Sequence, residues 1–483
     1  MTIVSRDPST RVDAGVNRLD LSFLIPAEWL PWVRAAIILG VLAGAAGLTY
    51  VAIDREEPAL GLAAACAPLL ALGALFVMLN LKYAPALIMF VAAFVPFSLP
   101  TGTSSRLVIS LVVTMLLIGL WALRMWLVEK RFYLRPLPAN LPVLGFMVVV
   151  LVSVFWSNVF MDPLVYRSRS FPFVQGASTV VMIMLPGAFL LAANLIDDLK
   201  IVKAMVAILL AAGVVGLFKQ YEIVYFPFNV GGLYTMWVIV LSAGLGMFAH
   251  RLKGVWRGLF LALAGVWLVW GVILHISWVS GWLPGMVAIV VLISLRSRKL
   301  AALAAVGVLV VVLVNRAYFS EAVSRERTES GNSRLMAWAV NWRVTGKHWL
   351  FGTGPAGYAA YYMSYFPEDA MATHSNYVDI LAQTGVVGFG FYIAIFGVIA
   401  WMGYQLCRRL KGRGDFTEAL ANSLLAGVAA SIVAMALGDW LIPFAYTQTI
   451  AGFDHSVFSW LLMGLIPALD RLAAPGAEAA ADA

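Results

Sequence analysis

Long apolar runs separated by short polar stretches follow one another along most of the chain. Read at about 20 residues per span, the length that crosses a bilayer's hydrocarbon core, they predict about fourteen helices. These fall near residues 33–53, 58–79, 83–99, 107–128, 141–157, 176–196, 201–218, 230–250, 258–275, 282–295, 300–315, 373–402, 419–440 and 456–472. The runs are continuous rather than alternating, so they read as helices and not barrel strands. Lipid offers nothing to free backbone groups, which only a helix or a closed barrel can satisfy. The expected class is an all-α polytopic membrane protein, and 282–295 and 300–315 are short enough to be tilted, broken or fused. The expected organisation is a tail over 1–32, helices over 33–315, a large polar loop over 316–372, three helices over 373–472 and a tail over 473–483.

Composition strengthens this reading. Hydrophobic residues make up 62% of the 483, charged residues 12%, and the mean hydropathy is +0.89. A soluble domain is nearer half apolar and a quarter charged. Met1 to Asp20 carries Arg6, Asp7, Arg11, Asp13, Arg18 and Asp20 without an apolar centre, so no cleaved signal is expected there. Cys66 and Cys407 sit in or beside apolar runs and read as small buried hydrophobes. No metal-ligand spacing stands out, and no cofactor is expected.

Charge sets the orientation. With the N-terminus inside, most Lys and Arg fall on cytoplasmic segments, in clusters such as Arg124–Arg135, Arg251–Arg257, Arg296–Lys299 and Arg408–Arg413. That obeys the positive-inside rule and puts both termini in the cytoplasm. The net charge of +8 mostly reports these anchors and not nucleic-acid binding. Arg167 and Arg169, in Tyr166-Arg-Ser-Arg-Ser170, and Arg334 then stand out on the outer face.

The candidate chemistry lies in Arg334–Gly388. Leu335, Trp338, Val340, Trp342 and Trp349 follow Arg334 at roughly helical spacing, which predicts an interfacial amphipathic helix. Arg334 opens it after Gly331-Asn332-Ser333, where free N–H groups also draw anions. Gly352-Thr353-Gly354-Pro355-Ala356-Gly357 predicts a tight turn. Tyr358, Tyr361, Tyr362 and Tyr365 after it suit either sugar stacking or an aromatic belt. His374 starts the next helix between Thr373 and Ser375, either of which suits a cap, and its imidazole suits a general base. Asn376, Asp379 and Gln383 share one helix face, and an intramembrane Asp379 must be paired or face a cavity. Glu222, Asp439 and Asp454 are lower-grade candidates that read as solvated loop residues. His275, His348 and His455 read as structural.

Three motifs in order carry a resemblance: Ser333-Arg334-Leu335-Met336-Ala337-Trp338, then Phe351-Gly352-Thr353-Gly354-Pro355, then His374-Ser375-Asn376-Tyr377 with Gln383-Thr384-Gly385-Val386-Val387-Gly388. This segment resembles the O-antigen ligase and polymerase superfamily, whose large extracytoplasmic loop ends in a similar His motif. The resemblance implies a GT-C-like, metal-independent glycosyltransferase of the bacterial inner membrane. Its donor would be an undecaprenyl-pyrophosphate-linked glycan and its acceptor a sugar hydroxyl on a lipid-linked glycan or lipid A core. Carried over, Arg334 holds the pyrophosphate and His374 serves the acceptor. Arg167 or Arg169, Tyr358, Asn376 and Asp379 are expected to contribute substrate contacts. Fourteen spans exceed the roughly twelve of typical ligases. The leading expectation is a polysaccharide polymerase and the alternative an O-antigen ligase. A flippase or transporter of lipid-linked sugars and a protein O-glycosylation enzyme stay open. Membrane lipid is an expected partner, nucleic acid is not, and a chain-length regulator or flippase is a candidate partner.

Overall fold

The structure, a computed structural model, describes residues 80–100, 105–220, 233–275, 278–314, 316, 320, 332–367 and 372–474. The expected N-terminal tail, the spans 33–53 and 58–79, Cys66, Glu222, the charged stretch Glu321–Glu329 and nearly all of the C-terminal tail lie outside these residues.

Helices make up nearly all of what is described. In chain order they are α1 (Ala84–Phe94), α2 (Ile109–Leu127), α3 (Asn140–Val159), α4 (Phe171–Leu195), α5 (Leu199–Gln220) and α6 (Tyr234–Phe248). Next come α7 (Gly254–Val269), which continues through a π turn to Leu274, α8 (Val279–Arg296) and α9 (Arg298–Val314). The loop contributes α10 (Asn332–Thr345) and α11 (Gly357–Tyr365), and the chain closes with α12 (Asn376–Leu410), α13 (Phe416–Leu437) and α14 (Phe453–Leu472). One short hairpin pairs β1 (Ser98–Pro100) with β2 (Arg106–Val108), antiparallel. Among the described residues, nine helices are long and apolar enough to cross a membrane. The chain is thus an all-α polytopic membrane protein. The short pair expected at 282–295 and 300–315 forms two separate helices, α8 and α9, broken at the extended Ser297.

The helices pack as a bundle whose middle is α14 against α4, and α13 among α6, α8 and α12. α14 is buried almost all round, as a central helix in lipid must be, while α7 and α3 leave large apolar side chains outside. Tight crossings at such contacts rely on small residues. At Gly464, a side-chain carbon would come within 2.8 Å of the Phe189 carbonyl on α4.

α12 carries the chain's decisive irregularity. Its 35 residues are interrupted at Gly385, with φ 64° and ψ −171°, so Asn376–Thr384 is a short N-terminal segment set on a longer C-terminal one. A break in a helix frees backbone groups, which buried apolar surroundings penalise heavily. The turn after α10 supplies the missing partners. Val386 N donates to Trp349 O (2.8 Å), Thr353 N to Ala382 O (2.9 Å) and Gly354 N to Gln383 O (2.9 Å). From α3, the Ser153 hydroxyl reaches Gln383 O at 2.6 Å and also Phe351 O. The two backbones cross so closely that both crossing residues must lack a side chain. A carbon on Gly352 would lie 2.4 Å from the Gln383 carbonyl carbon, and one on Gly385 2.3 Å from that of Leu350. Gly385→Ala meets both this clash and a backbone region open essentially to glycine alone. It is expected to cost roughly 2–5 kcal/mol and to lower the thermal unfolding midpoint in detergent; an unchanged midpoint would remove the crossing as a structural keystone.

Candidate functional site

The N-terminal end of α12 is where the polar residues gather. Asp379, one turn into the helix, is buried, and its Oδ1 is paired while its Oδ2 has no hydrogen-bond partner among the described residues. Tyr358 on α11 donates its hydroxyl to Asp379 Oδ1 at 2.6 Å, and the Thr373 hydroxyl donates to the same oxygen. Thr373 is held from the other side as well, because Trp338 Nε1 on α10 donates to its carbonyl at 2.8 Å. The loop therefore meets the expected need for a partner at Asp379 through Oδ1 alone.

Asn376, also fully buried, works as a clamp. Its Nδ2 donates to Ile442 O (2.7 Å), and its Oδ1 accepts from Leu441 N (2.8 Å). Its own N–H donates to Gly438 O at 3.2 Å. These bonds lash the start of α12 to the strap that leaves α13, Gly438–Ile442. Ser375 occupies the helix N-cap position, but it does not cap with its side chain. Its hydroxyl donates to Met435 O (3.2 Å), because the last carbonyls of α13 lie within reach and need donors.

His374 sits between these two anchors, with φ 48°. A left-handed backbone is uncommon outside glycine, although histidine tolerates it better than most residues. Such strain survives only where neighbours over-determine it. Here Thr373 is tied to α10 and Asp379, and Ser375 and Asn376 are tied to α13 and its strap. The imidazole lies half-buried. Burial lowers its pKa from the usual 6.5, the Asp439 carboxylate opposes that shift, and the Arg334 guanidinium adds to it. The ring is therefore neutral at pH 7, the form that can take a proton.

Those two charges define the site. Arg334, in the first turn of α10, donates from Nη1 to Leu437 O (3.4 Å), so its charge rests against the carbonyl end of α13. Asp439 accepts from Phe444 N at 2.9 Å and from the Thr447 hydroxyl, through Oδ2. Asp439 and Asp454 read in sequence as solvated loop residues; both are buried instead, since each accepts hydrogen bonds from its own surroundings. Asp439 is thus the residue that sequence reasoning undervalued. A signal was present: an acid directly after a long apolar helix opposes the helix dipole and needs a compensating reason.

The fold thus brings together Arg334, His374, Asp379, Tyr358 and Asn376 from the sequence-predicted set, and adds Asp439. Tyr358 is fully enclosed, with its ring stacked on Phe444 at 4.5 Å, so it supports the centre from beneath. Arg167 and Arg169 stand apart, just before α4. Arg167 Nη1 donates to Asn158 Oδ1 at 2.8 Å and covers the Phe171 ring; Arg169 is exposed. Among the described residues no group of three or more His, Cys, Asp or Glu is gathered as a metal site.

This arrangement offers a neutral base, a carboxylate able to stabilise that base once protonated, and a guanidinium able to bind an anion. A neutral imidazole beside a guanidinium is a pairing that can accept a proton next to an anion. α10 presents the opposite character outward. Leu335, Met336 and Trp342 are exposed while Ala337, Val340 and Val344 face the bundle.

Residues 203–393 match a family model described as O-antigen ligase. The matched segment contains Arg334, the Gly352–Pro355 turn and His374, and it supports the resemblance to the O-antigen ligase and polymerase superfamily. No curated protein matches the chain.

Asp439→Asn removes the one influence that raises the imidazole's pKa, so the His374 titration is expected to move lower still. NMR of histidine-labelled protein in detergent reads it directly, and an unchanged or higher midpoint would separate Asp439 from His374.

Proposed function

We propose that this protein transfers a glycan from a polyprenyl pyrophosphate donor to a sugar hydroxyl at the outer face of the bacterial inner membrane. The single observation that carries the reading is the meeting of Arg334, His374 and Asp439 at the outer end of α12. In the topology inferred from charge, both termini are cytoplasmic, about fourteen helices span the bilayer, and 316–372 is the extracytoplasmic loop.

The chemistry follows from what each group can do. His374 accepts the acceptor hydroxyl's proton as its oxygen forms a bond to the anomeric carbon. The bond from that carbon to the pyrophosphate oxygen breaks, and the electron pair leaves with the pyrophosphate. Arg334 neutralises the charge that develops there, which a guanidinium does with two parallel N–H donors. Asp439 stabilises the imidazolium. The negative charge is handled by an arginine, so the reaction is proposed to need no metal. Asp379, Tyr358, Thr373 and Asn376 position His374 and do not touch the reacting atoms. Arg167 and Arg169 are proposed to meet the donor further out.

The leading reading of the acceptor is a second lipid-linked glycan, which makes the enzyme a polysaccharide polymerase. The description of the matched family favours a second reading, ligation to a lipid A core. Reconstitution with purified lipid-linked glycan separates them. Chain-length ladders mark a polymerase, and product only on an added core acceptor marks a ligase.

In the same assay His374→Ala is expected to lose about 10²–10⁴ in turnover, and Arg334→Ala at least about 10², with folding intact by size exclusion. Arg334→Lys should recover part of the loss. The acid limb of the kcat/KM profile against pH, which reports the free enzyme, should lie below pH 6.5, because the base is protonated only below the lowered pKa of His374. Turnover should persist in EDTA. Wild-type rates from His374→Ala, or loss of activity to the chelator, would each overturn its part of the mechanism.

A further inference from the structure

A hollow opens on the same loop, apart from the His374 centre. α10 runs away from Arg334 and reaches Arg343 about 14 Å further along its axis, at 1.5 Å per residue. There Arg343, together with Lys347 in the turn that follows, edges a cleft of about 700 Å³ closed by the α3–α4 connection and α11. That volume lies within the range of small-molecule sites.

The cleft has two kinds of surface. One wall is aromatic: Trp156 and Phe160, with ring centres 4.3 Å apart, face it together with Tyr361 and Tyr365. Behind them a polar network is already closed. Tyr361 Oη shares a hydrogen bond with His348 Nε2 (2.9 Å) and accepts one from Asp162 N (3.2 Å). Tyr365 donates its hydroxyl to Asp162 Oδ2 at 2.6 Å. That bond holds the Asp162 carboxyl below the usual carboxylate range, so it is ionised and occupied; burial keeps the His348 ring neutral. Arg343 and Lys347 are both exposed, and among the described residues neither makes a hydrogen bond or ion pair. Two cations therefore face the cleft against one carboxylate already engaged.

An apolar ligand would leave the cations unmatched, and a bare anion would leave the aromatic wall unused. A sugar ring has C–H faces that lie on aromatic rings, and a carboxyl substituent on it would meet the cations. We propose that this cleft binds an acidic saccharide, a uronic-acid-type unit of the glycan whose reactive end lies at Arg334 and His374. The assignment rests on the transfer reading for the identity of the glycan, but the binding itself can be tested without turnover.

The probe is a short oligogalacturonide, compared with its methyl ester, which keeps the ring shape and removes the charge. Calorimetry with the purified full chain in neutral detergent is expected to show the ester about tenfold weaker, equivalent to about 1.4 kcal/mol. Arg343→Gln with Lys347→Gln should bring the acid form down to the level of the ester, and the Arg343→Lys, Lys347→Arg exchange should restore it. Thermal unfolding checks that both double variants are folded. His374→Ala should bind the acid form as well as the wild type does. Equal affinity for acid and ester, or undiminished binding by the Gln variant, overturns the proposal. So does binding of phosphatidylglycerol that depends on these two residues in a protein that ignores the oligosaccharide, since that outcome marks a headgroup site. Transfer of a neutral glycan without oligogalacturonide binding would sink this inference and leave the transfer reading standing; binding without any transfer would do the reverse.

Discussion

A helix buried in apolar surroundings can break only where something else satisfies its backbone, and the break at Gly385 is the constraint that organises this protein. Two carbonyls before the break and two amides after it are bonded by the turn that follows α10. The loop is therefore not draped over the bundle. It is stitched into α12, with glycine on glycine at the crossing, and Ser153 pins both strands of that crossing to α3. Irregular backbone at such a depth is tolerated when protein surrounds it, and the loop provides that surrounding.

The consequence reaches the N-terminal tip of α12. Because Asn376–Thr384 is a short segment held at both ends, Asp379 faces α11 and not lipid, and Tyr358 can reach it. Asp379 in turn fixes Thr373, whose carbonyl also receives Trp338 from α10. Asn376 fixes the strap that presents Asp439. His374 is thus set between two rigid partners, and its left-handed backbone is the sign of a position imposed by its neighbours. Preorganisation of this kind lets a base act without reorganising at the moment of reaction.

Much of this was legible in the sequence, but unevenly. The apolar runs gave away a membrane bundle because hydrophobic length is a direct physical requirement. Arg334 and His374 stood out because a cation and an imidazole on segments expected to lie outside so apolar a chain need a reason. The broken α12 did not stand out: Gly385 lies in a run that reads as one continuous span, and a glycine does not reveal which distant backbone will lie across it. Asp439 was hidden for a related reason. Its role depends on the strap folding back over Asn376, a contact between residues 376 and 441–442 that no local pattern encodes. Tyr358 was visible as an aromatic beside a turn, but whether its ring faced a ligand or Phe444 depended on packing alone.

The electrostatics of the centre then have a direction. Burial and the Arg334 guanidinium both hold the imidazole's proton affinity down, and among the described residues Asp439 holds it up. On the proposed function, a diphosphate bound at Arg334 offsets that positive charge and so removes one of the two lowering influences. The ring becomes a stronger base only when the donor is in place, whereas Asp439 continues to stabilise the imidazolium that forms. A base weakened in the empty site and strengthened by the donor's own charge would spend little time protonated between turnovers. It would gain its pull on the acceptor hydroxyl when a leaving group is present to be displaced.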